Sequence, residues 1–319
     1  MPRMRQRRAR IRGVPVRCVR DVHLRDLQLP RRDPMPQVFG RAHGARNSTD
    51  AATRDSVDRL AGPLSADCVV AKTPLAPLVE EPRASSTQIS QILYGHRAAV
   101  LVRDGKWLRV RGGDGYEGWI HQGYVEMCSD SDAEPWGWNS EGELSLGCSI
   151  RDEHGATLDL PLGALIGPAR RVSGRSLDLA HRRETFSREA EAVVASAMGL
   201  FQGTYYQWGG ISPWGTDCSG LVQSSFALHG VMLPRDAWQQ ASAGEEVEGG
   251  LDAMMPADLL FFSDREDGRI THVALSTGSS SIVHAALGRG GYSLERLDGP
   301  DEYSRELAGR FRFARRVIG

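Results

Sequence analysis

The stretch YYQWGGISPWGTDCSGL, residues 205–221, sets one of only five cysteines between an aspartate and a Ser-Gly pair, behind a run of aromatics and glycines. From Cys218 onward, CSGLVQSSFALHG keeps Leu221, Val222, Ser225 and Leu228 on roughly one helical face and stops at Gly230, a natural residue for the left-handed turn after a helix. Cys218 therefore opens a helix, where unpaired N–H groups and the positive end of the helix dipole favour a thiolate. A thiolate nucleophile needs a base, and the base an orienting partner. His272 in ITHVALS and His284, twelve residues on in SIVHAAL, supply both. If TGSSS joins those runs as a hairpin, the imidazoles share one face, because side chains alternate along a strand. Taken singly, a cysteine is most often a small buried hydrophobe. A Cys/His/His metal site lacks a fourth ligand at a familiar spacing. The combination is what selects nucleophile, base and orienter.

Around this core, SREAEAVVASAMGLFQ predicts an amphipathic helix with Ser187 as N-cap, ending before Gly203. Four strand-like runs follow at 258–262, 271–277, 281–286 and 292–297, then a short helix near 301–308 and a last strand at 310–317. Helices followed by antiparallel strands make an α+β domain over 180–319. Upstream, VLVRDGKWLRV (100–110) is two apolar runs about Asp-Gly, a strong hairpin signal, and GYEGWIHQGYVEM continues it. Residues 61–128 thus form a small all-β unit. A Gly- and Trp-rich acidic linker (130–143) and a second, short β unit over 140–178 come next.

The net charge of −1 conceals an asymmetry. Residues 1–50 hold 13 Arg and 4 Asp, +9, which leaves −10 for the remainder. Lys72 and Lys106 are the only lysines beside 37 arginines, so arginine richness reads as coding bias rather than a nucleic-acid or lipid adaptation. Residues 1–60 read as a disordered leader, with Met35 as a later start. They show no apolar core before a small-residue cleavage site and so do not read as a secretory signal. No apolar run approaches the ~20 residues of a membrane span. Five widely spaced cysteines without a C-x-x-C pair argue against disulfides and structural zinc, and fit reduced thiols in a cytoplasm. Oligomeric state is not encoded in any of these features.

YYQWGG…DCSGLVQ, then PADLLFFS, THVALS and IVHAA, resembles the NlpC/P60 family of papain-like cysteine peptidases over residues 185–319. SQILYGHRAAVLV, KWLRV and DGYEGW are similar to the first bacterial SH3-like domain of the γ-D-glutamyl-L-diamino acid endopeptidases, which cut peptidoglycan stem peptides. The resemblance implies a papain-like catalytic domain behind two SH3-like barrels, with no cofactor or metal and a wall-derived peptide as partner. It assigns Cys218 as nucleophile, His272 as base and His284 as its orienter. It places Tyr206 and Trp208 along the site, with the Tyr206 hydroxyl near the oxyanion. Asp217 and Ser219 match substrate-contacting positions. Arg235 and Asp236, in LPRDAWQQ, match contacts for substrate carboxylate and amine, and Tyr116 a residue closing over the substrate's N-terminus. Three departures stand out: Ala237 where relatives often carry Ser, Ala257 where Gly is usual, and Gln88-Ile89-Ser90 where an acid is expected. Asp236, then Glu81, are the substitute partners for a substrate ammonium. An amidase or acyltransferase using the same thiol, a general wall hydrolase, and a wall-binding module with a dead catalytic domain are the rival readings. The intact Cys218, His272 and His284 argue against the last.

Overall fold

The computed structural model describes residues 67–128, 142–151, 155–168 and 170–318; the basic leader and most of the linker lie outside them. The first unit has strands β1 (Cys68–Ala71), β2 (Leu75–Val79), β3 (Gln88–Leu93), β4 (Arg97–Asp104), β5 (Trp107–Gly112), β6 (Glu117–His121) and β7 (Val125–Cys128). They bond in the order β3-β2-β6-β5-β4-β1-β7. The hairpin read from Asp-Gly is β4–β5, but Asp104 pairs with Trp107, so Gly105 and Lys106 form the turn, with Gly105 at φ 56°. On β5, Leu108 and Val110 point inward while Arg109 and Arg111 face out. They join Val69, Leu78, Ile92 and Ile120 in a separate core.

β1 and β7 run side by side with Cys68 opposite Cys128, and the two are bonded as a disulfide. This corrects the expectation of unpaired thiols throughout. Sixty residues separate the pair in sequence, but antiparallel closure brings the unit's first and last strands into contact. Cys148 and Cys218 remain free thiols, both buried.

The second unit comprises β8 (Glu143–Arg151), β9 (Thr157–Leu160), β10 (Leu165–Ile166) and β11 (Arg171–Asp178), with β8 at its centre. It is tied to the first by the Leu165 N–H donating to the Tyr94 carbonyl at 2.9 Å. His96 adds a second tie: its buried Nε2 donates to the Gly163 carbonyl at 2.8 Å.

The third unit holds α1 (Arg182–Thr185), α2 (Ala190–Leu200), β12 (Ile211–Ser212), β13 (Gly215–Thr216), α3 (Cys218–Leu228), α4 (Ala237–Gln240) and β14 (Glu245–Glu246). It continues through β15 (Leu259–Phe262), β16 (His272–Gly278), β17 (Ser281–Ala286), β18 (Gly291–Arg296), α5 (Glu302–Gly309) and β19 (Phe311–Arg316). Its main sheet runs β14-β19-β15-β16-β17-β18. Period-two alternation sends Leu259, Phe261, Val273, Leu275 and Val283 toward α2 and α3, and Leu260, Phe262, Ala274 and Ile282 toward Leu307 of α5. Burial of each leucine, isoleucine, valine or phenylalanine among them is worth about 1.5–3 kcal/mol, which holds the sheet between two apolar layers. Helix α2 starts later than expected. Glu189 takes the N-cap position, and the Ser187 carbonyl accepts from His229 Nδ1 instead. Ala257, the departure from glycine, sits at φ 66°. The left-handed region disfavours any residue with a Cβ by roughly 1–2 kcal/mol, which is the physical reason glycine suits that turn.

Candidate active site

Helix α3 begins at Cys218 because Asp217 caps it, its carboxylate accepting from the Gly220 N–H at 2.8 Å. Gly220 is required there: a Cβ would meet the Gly210 carbonyl oxygen at 2.1 Å. The helix start is therefore pressed onto the YYQWGG loop, where Gly209 N–H also donates to Asp217, at 2.8 Å. The β16–β17 ladder begins only at Leu275–Val283. Helix α3 packs on β16, and Cys218 shares its core with Val273, so the thiol lies beside the strand that carries His272.

His272 Nε2 lies 2.8 Å from His284 Nδ1, with the rings at 73°. The expected hairpin of β16 and β17 does put the two imidazoles on one face. That contact leaves His272 Nδ1 as the nitrogen free to exchange a proton. For Nδ1 to be a base, the His272 proton must sit on Nε2 and be donated to His284 Nδ1. His284 then carries its own proton on Nε2, a buried atom without a partner among the described residues. Burial lowers His272 to about 4. Burial first, then the charge of its neighbour, puts His284 well below the ordinary histidine range. Burial, with Asp217 adding repulsion, raises the Cys218 thiol to about 12, outweighing the N–H groups of Val273 and Ser219 and the charge of Arg235. Burial thus opposes the lowering that the helix end exerts on the thiol, and it opposes a proton on the imidazole.

Arg235, expected to meet a substrate carboxylate, has no hydrogen left to offer. Its Nε donates to Ser90 Oγ (3.2 Å), Nη1 to Asp217 (3.0 Å) and Ser219 (2.9 Å), and Nη2 to Asp217 (2.7 Å) and the Gly210 carbonyl (3.3 Å). At 1% exposure it is the largest fully buried side chain among the described residues. Asp217 and Ser219 border the cleft, but their polar atoms are committed to this frame. The correction has a plain cause: a buried guanidinium persists only when fully paired.

Asp236 is different. Its carboxylate accepts from Tyr116 OH at 3.1 and 3.3 Å and from the Trp238 indole N–H at 3.2 Å, and lone pairs remain. Tyr116 arrives from the β5–β6 loop, anchored because Gln223 of α3 donates to Asp114 at 3.0 Å. Gln88 donates to the Trp208 carbonyl at 3.1 Å, and Ile211 N–H to Gln91 at 3.2 Å, so the first β unit forms one wall of the cleft. That cleft, about 570 Å³, is bordered by Cys218, Trp208, Tyr116, Asp236, Ala237 and Glu80 among others. Glu81, the second candidate acid, does not reach it: Arg83 Nε bonds it at 2.6 Å in the β2–β3 turn. Its neighbour Glu80 faces the cleft instead. Tyr206 is half-buried against the core that includes Cys218, and burial raises its phenol. Trp208 is 63% exposed at the rim.

Sequence reasoning chose Glu81 over its neighbour Glu80 and missed Trp238, Arg265 and Arg269; Glu80 and these three border the cleft. The signal available for the arginines was the charged DREDGR turn immediately before ITHVALS. No helix among the described residues is long and apolar enough to cross a membrane, and no cluster of three or more His, Cys, Asp or Glu gathers there as metal ligands.

The NlpC/P60 family model matches residues 203–308, and the bacterial SH3 domain model residues 80–126. A gamma-D-glutamyl-L-lysine dipeptidyl-peptidase of Bacillus subtilis (strain 168) is 31% identical over 233 residues, 65% of this chain and 75% of the relative. Dipeptidyl-peptidase 6 of Lysinibacillus sphaericus is 29% identical over 255 residues, 70% of this chain and 89% of the relative. A solved NlpC/P60 family protein from Bacillus cereus superposes with a TM-score of 0.65 at 18% identity, over 79% of this chain and 100% of that one. At that identity the likeness speaks for the fold.

Proposed function

Because this chain belongs to the NlpC/P60 family of cysteine peptidases, with cell-wall peptidases as its relatives, we propose that it hydrolyses the γ-D-glutamyl–diamino acid bond of stem peptides bearing a free N-terminal L-amino acid. The observation that carries the reading is the Tyr116–Asp236 hydrogen bond between residues 120 apart in the chain. In this reading it closes one end of the cleft with a carboxylate, and Glu80 is a second acid on the lining. A small terminal ammonium fits such an end, since a desolvated cation needs an anionic partner. An acylated or sugar-bearing terminus offers no charge and more bulk.

In this account His272 Nδ1 takes the Cys218 proton as the sulfur attacks the γ-carbonyl, forming the C–S bond while the carbonyl electrons move onto oxygen. Backbone N–H groups at the start of α3 and the Tyr206 hydroxyl hold that oxyanion. Collapse expels the diamino acid's amine as His272 returns the proton to it. Water, deprotonated by His272, then cleaves the thioester and restores the thiol. His284 keeps the imidazole turned and its Nε2 protonated. Mass analysis of L-Ala-γ-D-Glu-diaminopimelate after incubation tests the reading: release of L-Ala-γ-D-Glu supports it, and an intact tripeptide overturns it.

A further inference from the structure

We infer that Arg269 binds a carboxylate of the substrate and thereby sets specificity for acidic over amidated stem peptides. The inference rests on the γ-D-glutamyl reading. Such a peptide keeps the α-carboxyl of its glutamate free beside the scissile bond and carries at least one more carboxyl on the diamino acid, so its cleft needs a cation. Two arginines border it. Arg265 is already engaged: its Nε and Nη2 hold the two oxygens of Asp267 at 2.9 and 2.6 Å. Arg235 is spent, as shown above. Arg269 is exposed, and none of the ion pairs among the described residues involves it.

Its position is nonetheless fixed. The Arg269 N–H donates to Asp267 at 3.0 Å, and its carbonyl accepts from Ser263 Oγ at 2.7 Å. The guanidinium lies over the Trp238 ring, 5.4 Å from its centroid. Stacking of this kind holds a guanidinium plane while leaving its N–H fork open. The same indole donates to Asp236 at 3.2 Å. Trp238 therefore separates an anion from an unpaired cation along one wall of the cleft. A zwitterionic peptide with an ammonium at one end and a carboxylate farther along matches that order of charges. Ala237, between Asp236 and Trp238, offers no hydroxyl to share the task.

The test compares Arg269→Gln and Arg269→Lys with the unaltered full-length protein on three peptides: L-Ala-γ-D-Glu-diaminopimelate, its analogue with the glutamate α-carboxyl amidated, and L-Ala-γ-D-Glu-L-lysine amide. Charge-assisted bonds of this kind predict a KM for the first peptide raised roughly 10- to 100-fold in Arg269→Gln, with kcat within about twofold, and partial rescue in Arg269→Lys. If the glutamate carboxylate is the ligand, the amidated analogue alone loses its sensitivity to the substitution; if the diamino acid's is, the lysine amide alone does. KM unchanged on all three peptides overturns the inference while leaving the parent reading intact. Absence of turnover by the unaltered protein on every peptide removes both.

Discussion

His272 Nε2 and His284 Nδ1 stand 2.8 Å apart, and that one contact fixes which imidazole nitrogen is left for the thiol. If His284 works by accepting that proton, its replacement divides by chemistry. His284→Asn, which still presents an acceptor, keeps activity within about 10-fold, whereas His284→Leu loses on the order of 100-fold or more in kcat. Cys218→Ala and His272→Ala each abolish turnover nearly completely, and the double variant is no worse than either, because such groups act as a unit. Equal tolerance of His284→Leu and His284→Asn in steady-state kinetics removes the proposed tautomer.

The buried histidines also set a pH signature. His272 and His96 are both lowered to about 4 by burial, from 6.5. A base held neutral to about 4 predicts a kcat/KM profile whose acid limb falls well below pH 6.5. Stability has its own sign. The unfolded chain takes up these protons near 6.5 and the folded one only near 4, so the stabilisation is full above 6.5 and is lost as pH falls from 6.5 toward 4. For His96 the loss is on the order of 3 kcal/mol. Denaturant midpoints at pH 7.5 and 4.5 measure it, and His96→Phe should flatten part of the slope; a slope unaltered in that variant contradicts the assignment.

Arg235 separates a frame from a binding site. Removing one partner of a buried, fully paired ion pair costs about 3–5 kcal/mol, so Arg235→Ala should lower the melting temperature by many degrees and reduce soluble yield. A stable, well-folded Arg235→Ala with only KM raised would return this residue to the substrate-contacting role.

The Cys68–Cys128 bond closes a 60-residue loop. The chain-entropy account gives it about 4 kcal/mol against the denatured state. Peptide mapping of protein alkylated before denaturation should yield a linked Cys68–Cys128 peptide, and reduction should lower the denaturant midpoint. Two separately alkylated peptides mean that the bond does not form in the purified protein.

Local signals carried most of the framework. Helix α3 and the strands around both histidines fall within a residue or two of their reading, because apolar spacing and turn residues act over a few positions. What was illegible depends on docking. Nothing near Arg235 in sequence announces that Ser90, 145 residues away, and Asp217 will consume its fork. Glu80 and Glu81 are neighbours, yet the β2–β3 turn sends one to the cleft and ties the other to Arg83. The disulfide follows from closure of a sheet, which spacing alone does not reveal. The helix-end argument for a thiolate took no account of the burial that opposes it.

The central claim is that Tyr116, Asp236 and the first β unit close the cleft around a free ammonium. The direct measurement is kcat/KM for L-Ala-γ-D-Glu-diaminopimelate against its N-acetylated form, in the unaltered protein and in Asp236→Asn. The account predicts a preference for the free peptide of at least about 100-fold, reduced roughly 10-fold or more in Asp236→Asn through KM, since a charged hydrogen bond of about 1.5–3 kcal/mol is lost. Equal cleavage of both peptides by the unaltered protein would show an open cleft and contradict it.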